Sequence, residues 1–187
     1  MGECLELNPK IDKSKISDDR DVHFVPMPAV EALSNKIDTS EVRKFGAVKK
    51  GYTPFTSNDV LFAKITPCME NGKMVVVPEL RHGLAFGSTE FHVLRTNGDV
   101  MPEWVFYFVS SHAFRAEAEH NMTGAVGQRR VRIDFIAQHE ISLPPLNEQK
   151  RIVEKIEELF SEIDAGVASL QRAREQLGVY RQALLKK

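Results

Sequence analysis

The sequence predicts an α+β protein in two parts, a small β-rich domain with packed helices over residues 1–145 and one long coiled-coil helix over residues 146–187. Three observations carry this expectation. Short apolar, β-branched runs separated by turn residues fill the first part, an aromatic run at helical spacing follows Pro102, and an unbroken heptad repeat follows Pro144-Pro145.

Residues 59–65 (DVLFAKI) and 73–78 (KMVVVP) are rich in β-branched and apolar side chains, and Asn71-Gly72 between them marks a turn, so both read as strands. TEFHVLR at 89–95 alternates and reads as another, as does HEISL at 139–143. VHFVPM at 22–27 is interrupted by Pro26, which cannot donate to a ladder and so predicts an edge strand or a strand end. From Asp99 the period changes. Pro102 suits a first helical turn, and Trp104, Val105, Phe108, Val109, His112 and Arg115 follow at helical spacing, which predicts a helix near 102–120. Trp104, Phe106, Tyr107 and Phe108 cannot all face water. Their expected place is against the sheet, in preference to stacking on nucleic-acid bases.

After Pro144-Pro145, Asn147 is a candidate helix cap, Glu148 complements the positive helix end, and no proline follows. Ile156, Ile163, Leu170, Leu177 and Leu184 recur every seven residues at position a; Ile152, Leu159, Gly166, Ala173 and Tyr180 occupy position d. Position e is apolar in the first half (Val153, Phe160, Val167) and becomes Arg174 and Arg181 in the second, so the seam narrows along the helix. At 1.5 Å per residue the helix would run for roughly 60 Å, more than one small domain can cover. Ile152, Ile156, Leu159, Ile163, Leu170, Leu177 and Leu184 are therefore the expected helix-pairing residues.

Composition excludes several classes. Apolar residues make up 42% and charged residues 27%, as in ordinary soluble domains, and no apolar run approaches the ~18 residues of a membrane span. With no secretory leader at its start, the chain is expected in the cytoplasm. Cys4 and Cys68 lack zinc or redox spacing, and the six histidines are scattered, so no metal site is expected.

Net charge is −1, so bulk charge does not advertise nucleic acid, but local charge does. Residues 43–52 (RKFGAVKKGY) hold Arg43, Lys44, Lys49 and Lys50 with no acid, and residues 122–133 hold Arg129, Arg130 and Arg132 with none. TPCMENGK (66–73) adds Thr66, Glu70, Asn71 and Lys73 at a turn, while TGAVGQRR (123–130) sets Thr123, Gln128, Arg129 and Arg130 beside two glycines. Amides can bridge adenine, arginines can fork onto guanine, and glycines let backbone N–H groups approach phosphates. Each loop alone could equally be a solvated surface turn.

Enzymatic signatures are missing. Gly72-Lys73 is followed by Met74 and lacks the earlier glycine of a phosphate-binding loop. Neither a glycine-rich methyl-donor loop nor an Asn/Asp-Pro-Pro-aromatic motif occurs, and Asn8-Pro9-Lys10 is only superficially similar. Asp59 and Glu70 are of the type used as a nuclease's metal-binding carboxylates, yet no Glu-x-Lys follows them and carboxylates at strand ends are common.

LPPLNEQKRIVEKIEELFSEID, from Leu143 through Asp164, resembles the conserved region of type I restriction-modification specificity subunits, where a Pro-Pro, then Glu-Gln and a basic-Ile-Val run, open a long helix. NDVLFAKITPCMENGK (58–73) resembles the strand and turn of that family's target recognition domains, MTGAVGQRRV (122–131) its Gly-rich loop, and GECLELNPK its domain start. The resemblance covers essentially the whole chain but half of a usual subunit, which has two recognition domains and two conserved helices paired antiparallel.

The resemblance implies a non-catalytic reader of one half of a bipartite DNA target, and the charge and donor content of the three loops makes Lys49, Lys50, Tyr52, Thr66, Glu70, Asn71, Lys73, Thr123, Gln128, Arg129, Arg130 and Arg132 the candidate DNA contacts. It implies docking to methyltransferase subunits, which would hold the S-adenosylmethionine cofactor, indirect association with a restriction subunit, and pairing of the long helix with a second half or with its own copy. Two other readings compete, a coiled-coil adaptor whose β-rich domain binds protein and an independent nuclease or methyltransferase. Salt-dependent DNA binding separates the first from a DNA reader, and incubation with DNA, Mg²⁺ and S-adenosylmethionine tests the second.

Overall fold

The computed structural model describes residues 1–185, apart from the side chains of Ala183 and Leu184, and divides into two compact units, Met1–Leu146 and Asn147–Lys187. In the first unit the elements run β1 (Leu5–Leu7), β2 (Asp21–Val25), β3 (Val42–Lys44), α1 (Phe45–Val48), β4 (Thr53–Phe55), β5 (Val60–Ala63), β6 (Met74–Val76), β7 (Ala85–Gly87) and β8 (Phe91–Thr96). Helices α2 (Pro102–Ser110), α3 (His112–His120) and α4 (Ile133–Gln138) follow, and then the long α5 (Leu146–Leu185). Two four-stranded sheets form, ordered β1-β8-β5-β6 and β3-β2-β7-β4, the first wholly antiparallel and the second containing a parallel β2–β7 pair.

Period-two alternation explains why β5 is apolar at every position. Val60 and Phe62 join a core with Val105, Val109 and Phe114 of the helices, whereas Leu61 and Ala63 join Val25, Phe55 and Ala85 of the second sheet. A strand buried on both faces has no polar side to show. Val22, Phe24 and Phe86 on the far face of the second sheet are covered by Phe45 and Val48 of α1. The unit is thus layered as helices, first sheet, second sheet and a short helical cover.

Of the two alternatives for 22–27, the strand end holds and the edge does not: β2 ends at Val25 and pairs with both β3 and β7, leaving Pro26 outside the ladder at the start of a 3₁₀ turn. Two further local expectations need correction. HEISL at 139–143 forms no strand. Ile141 packs on the helix-covered core and the Ser142 carbonyl accepts the Trp104 indole N–H at 3.1 Å, so its polar groups find partners outside a ladder. The helix at 102–120 is two helices, because Ser111 is extended (ψ 147°) and its hydroxyl accepts the Phe114 N–H at 3.3 Å, capping α3. The aromatic run does go inward: Phe106 is buried, and Trp104, Tyr107 and Phe108 pack half-buried on the same core.

The second unit is α5, whose 40 residues correspond to about 60 Å of helix. It begins at Leu146, so Asn147 lies in its first turn instead of capping it. Glu148 there forks with Arg151 at 2.6 and 3.1 Å. Of the seam residues, Ile152 and Ile156 are half-buried, while Leu159, Ile163, Leu170 and Leu177 are exposed, Leu170 to 73%. Leu184 lies outside the described side chains.

Candidate nucleic-acid interface

Two of the three polar loops come together. Thr123 and Arg130 exchange backbone hydrogen bonds of 3.1 and 2.8 Å, closing a hairpin whose tip turns through a Gln128 N–H to Ala125 carbonyl bond of 2.9 Å. Gly124 makes the closure possible. At its φ of +125° a β-carbon would sit 2.8 Å from the Gln128 carbonyl. Arg129 and Val131 then add a rung beyond β5: the Thr66 N–H donates to the Arg129 carbonyl (3.0 Å) and the Val131 N–H to that of Lys64 (2.8 Å). The hairpin is therefore bonded to the very segment that opens the 66–73 turn.

Within that turn Gly72, at φ +72°, leaves room for Leu33, whose side chain would lie 2.3 Å from an added β-carbon. The Thr66 hydroxyl donates to the Glu70 carboxylate, which also faces Arg129 at 3.7 Å; its second oxygen is buried without a hydrogen-bond partner. Arg115 reaches the Glu70 carbonyl at 2.6 Å and ties the turn to α3. Lys73 is committed elsewhere, donating to the carbonyls of Met27 and Val30 at 3.2 and 2.8 Å.

The arginines differ. Arg130 forks onto Glu90 through Nε and Nη2 at 2.9 and 2.8 Å, and the guanidinium holds the Glu90 carboxyl below the usual carboxylate range. Arg129 is only loosely placed between Glu70 and Glu119, 3.7 Å from each, and Arg132 pairs with Asp134 at 2.7 Å on the surface. Thr123, Gln128 and Asn71 are exposed, and no side-chain partner is found for them among the described residues.

The third loop belongs to the second sheet. Lys49 closes onto Asp18 at 2.7 Å, Lys50 is exposed, and Tyr52 packs edge-on against Phe24 at 4.9 Å. Sequence reasoning passed over Glu90 and Lys64, the residues that brace the hairpin, and over Val126, which is wholly exposed at its tip. The usable signal was an arginine-rich loop without a local acid, which needs a carboxylate from another segment.

A polar chain running from exposed Asn8 to buried His92 supports the base of the hairpin. Asn8, at φ +51°, accepts the Val93 N–H at 2.9 Å and meets His92 Nδ1 at 3.3 Å, while His92 Nε2 lies 2.9 Å from the Val131 carbonyl. Burial pushes the His92 pKa down, so the neutral ring donates to Val131 and accepts from Asn8.

Residues 1–169 match the type I restriction modification DNA specificity domain. The chain belongs to this family. It is 40% identical over 165 residues to the EcoAI specificity subunit of Escherichia coli, a match covering 88% of this chain and 28% of that subunit. The EcoEI specificity subunit, also from Escherichia coli, is 38% identical over 154 residues, or 82% of this chain and 26% of the relative. The HsdS subunit from Thermoanaerobacter tengcongensis superimposes with a TM-score of 0.66 at 25% identity, covering 79% of this chain and 37% of that one. The specificity domain thus matches under a third of each curated relative and well under half of the structural neighbour.

The family and the α+β architecture expected from sequence are those found. In this specificity domain Asp59 has a structural setting: fully buried, it is forked by Arg95 at 2.7 and 2.8 Å and accepts the Thr56 N–H at 2.7 Å. Among the described residues no group of three or more His, Cys, Asp or Glu is arranged to hold a metal ion, and Cys4 and Cys68 are free. Among the same residues no helix is long and apolar enough to cross a membrane.

Proposed function

We propose that this specificity domain reads one half of a bipartite DNA target and docks methyltransferase subunits, which bind S-adenosylmethionine and carry out the chemistry that this chain does not. The observation that carries the reading is the joining of the 123–130 hairpin to the 66–73 turn, which sets Thr123, Gln128, Asn71 and Arg129 on one bonded unit. Amide, hydroxyl and guanidinium groups held on a braced scaffold suit hydrogen bonding to base edges, and Lys50 and Arg132 suit phosphates. Glu70, Lys73 and Arg130 serve the reader by shaping the loops, given their internal partners.

The exposed seam of α5 supports pairing with a second helix of the same kind, from a second half or a second copy, holding two readers apart on DNA. A restriction subunit would join through the methyltransferase. The test is selection from a random duplex pool by the chain with its methyltransferase subunits. Enrichment of one short defined half-site is expected, with affinity falling steeply as salt rises. A pool left unenriched, with salt-insensitive binding, would favour the protein-binding adaptor.

A further inference from the structure

We infer that a cleft lined by Lys10, Lys13 and Lys64 grips the sugar-phosphate strand of the DNA, as an anchor separate from the base-reading hairpin. The inference rests on the DNA-reading role proposed above. The cleft has a volume of about 460 Å³, and Tyr52, Thr53 and Thr89 add hydroxyls to its wall. Among the described residues no acid lines it, although the chain carries 26 acidic residues against 25 basic ones. A wall that carries three lysines and no carboxylate favours an anion over a cation or a neutral ligand.

Glu90, next to the lining residue Thr89, interacts electrostatically with Lys64, but both its oxygens are engaged by the Arg130 fork. The Lys10 and Lys64 ammonium groups make no hydrogen bond or close ion pair with another side chain among the described residues. Lys13 donates one hydrogen bond to the Lys49 carbonyl at 2.6 Å and rests 5.4 Å from the centre of the Phe86 ring. An ammonium has three donors, so its head group keeps capacity for an oxyanion.

Position favours a nucleic-acid strand over a small free anion. Lys64 is bonded through its backbone to Glu90, which forks with Arg130 of the hairpin's closing pair, and to Val131, which follows that arginine, so cleft and reader share one hydrogen-bonded segment. An open trough beside a reader matches a polymer whose phosphates recur along the strand, and interactions of this kind set register without carrying sequence information.

The test uses the full chain and two duplexes, one holding the selected half-site and one unrelated. In the variant Lys10→Gln/Lys13→Gln/Lys64→Gln, the slope of log affinity against log salt should shrink by about 0.9 for each phosphate no longer neutralised, so by about 2.7 if all three lysines engage. Both duplexes should weaken by the same factor, leaving the preference between them unchanged. Lys64→Arg should restore its share of the slope, and matching thermal melts show that the variants fold.

A wild-type slope in the triple variant would overturn the cleft anchor while leaving the DNA reader intact. A changed preference between the duplexes would also overturn it, by making the cleft a base reader. Inorganic phosphate that displaced DNA far better than chloride at equal ionic strength would assign the cleft to a free anion. Wild-type chain that bound neither duplex would overturn the reading on which the inference rests.

Discussion

Arg130 and Glu90 lie 40 positions apart and meet in a two-point fork that closes the base of the exposed hairpin. Their side chains are 42% and 24% exposed, so solvent screening keeps the pair's contribution to global stability small. Its larger effect is local. Glu90→Ala should raise amide hydrogen exchange at Thr123 and Arg130 with little change in the urea midpoint. Exchange at wild-type rates would show that the fork does not hold the hairpin. Because Arg130 keeps the Glu90 carboxyl below its ordinary range, the fork's contribution is present above about pH 4.5 and disappears as pH falls through the folded-state value.

Arg129 is held only by 3.7 Å approaches to two carboxylates, so Arg129→Ala should leave the fold intact while weakening DNA binding. If the guanidinium neutralises a phosphate, the salt slope should shrink by about 0.9 and selectivity should be spared. If it forks onto a guanine, the substitution should cost roughly 1–3 kcal/mol at one base position. Titration of a panel of single-base variants separates the two, and unchanged affinity with unchanged selectivity removes Arg129 from the interface.

Asp59 is wholly buried and Arg95 is 30% exposed, which makes their two deletions unequal. Arg95→Ala strands a buried carboxylate and should cost about 3–5 kcal/mol, whereas Asp59→Ala lets the arginine turn to solvent and should cost less. Urea unfolding of both variants checks the order, and the reverse order would contradict it.

Folding holds His92 neutral, with its pKa below the ordinary 6.5. An unfolded chain binds that proton more readily, so stability is complete above about pH 6.5 and declines as pH falls toward the folded-state value. Chemical denaturation between pH 8 and pH 5 should show the decline, and His92→Gln should flatten it. A wild-type profile that is flat across this window would refute the assignment.

Leu170 and Leu177 stand 73% and 67% exposed on α5. Burying one leucine contributes about 1.5–3 kcal/mol, and several act together along the seam. The chain should therefore sediment as a dimer at tens of micromolar, reading a two-fold-symmetric split site. Leu170→Glu/Leu177→Glu should return it to monomer with the first unit still folded. A wild-type monomer with an ordered helix would refute this.

Much of this architecture is legible in residue order. The heptads from Ile152 to Leu177 specify α5 because helical periodicity is a local property of the chain, and the apolar runs at Val60 and Met74 specify strands for the same reason. The two glycine-marked loops were also visible, since a positive φ at Gly72 and Gly124 leaves a trace in composition.

Whatever depends on a distant partner was decided only by the tertiary structure. Residues 139–143 alternate like a strand, yet a ladder needs an available edge, and their groups are used by Trp104 and the helical core instead. A basic loop is free or neutralised according to what folds against it. Lys73 went to two carbonyls, Arg130 to Glu90 and Lys49 to Asp18, while Arg129 was left loosely held. Periodicity is written into neighbouring residues, but charge compensation is a relation between residues that only packing brings together.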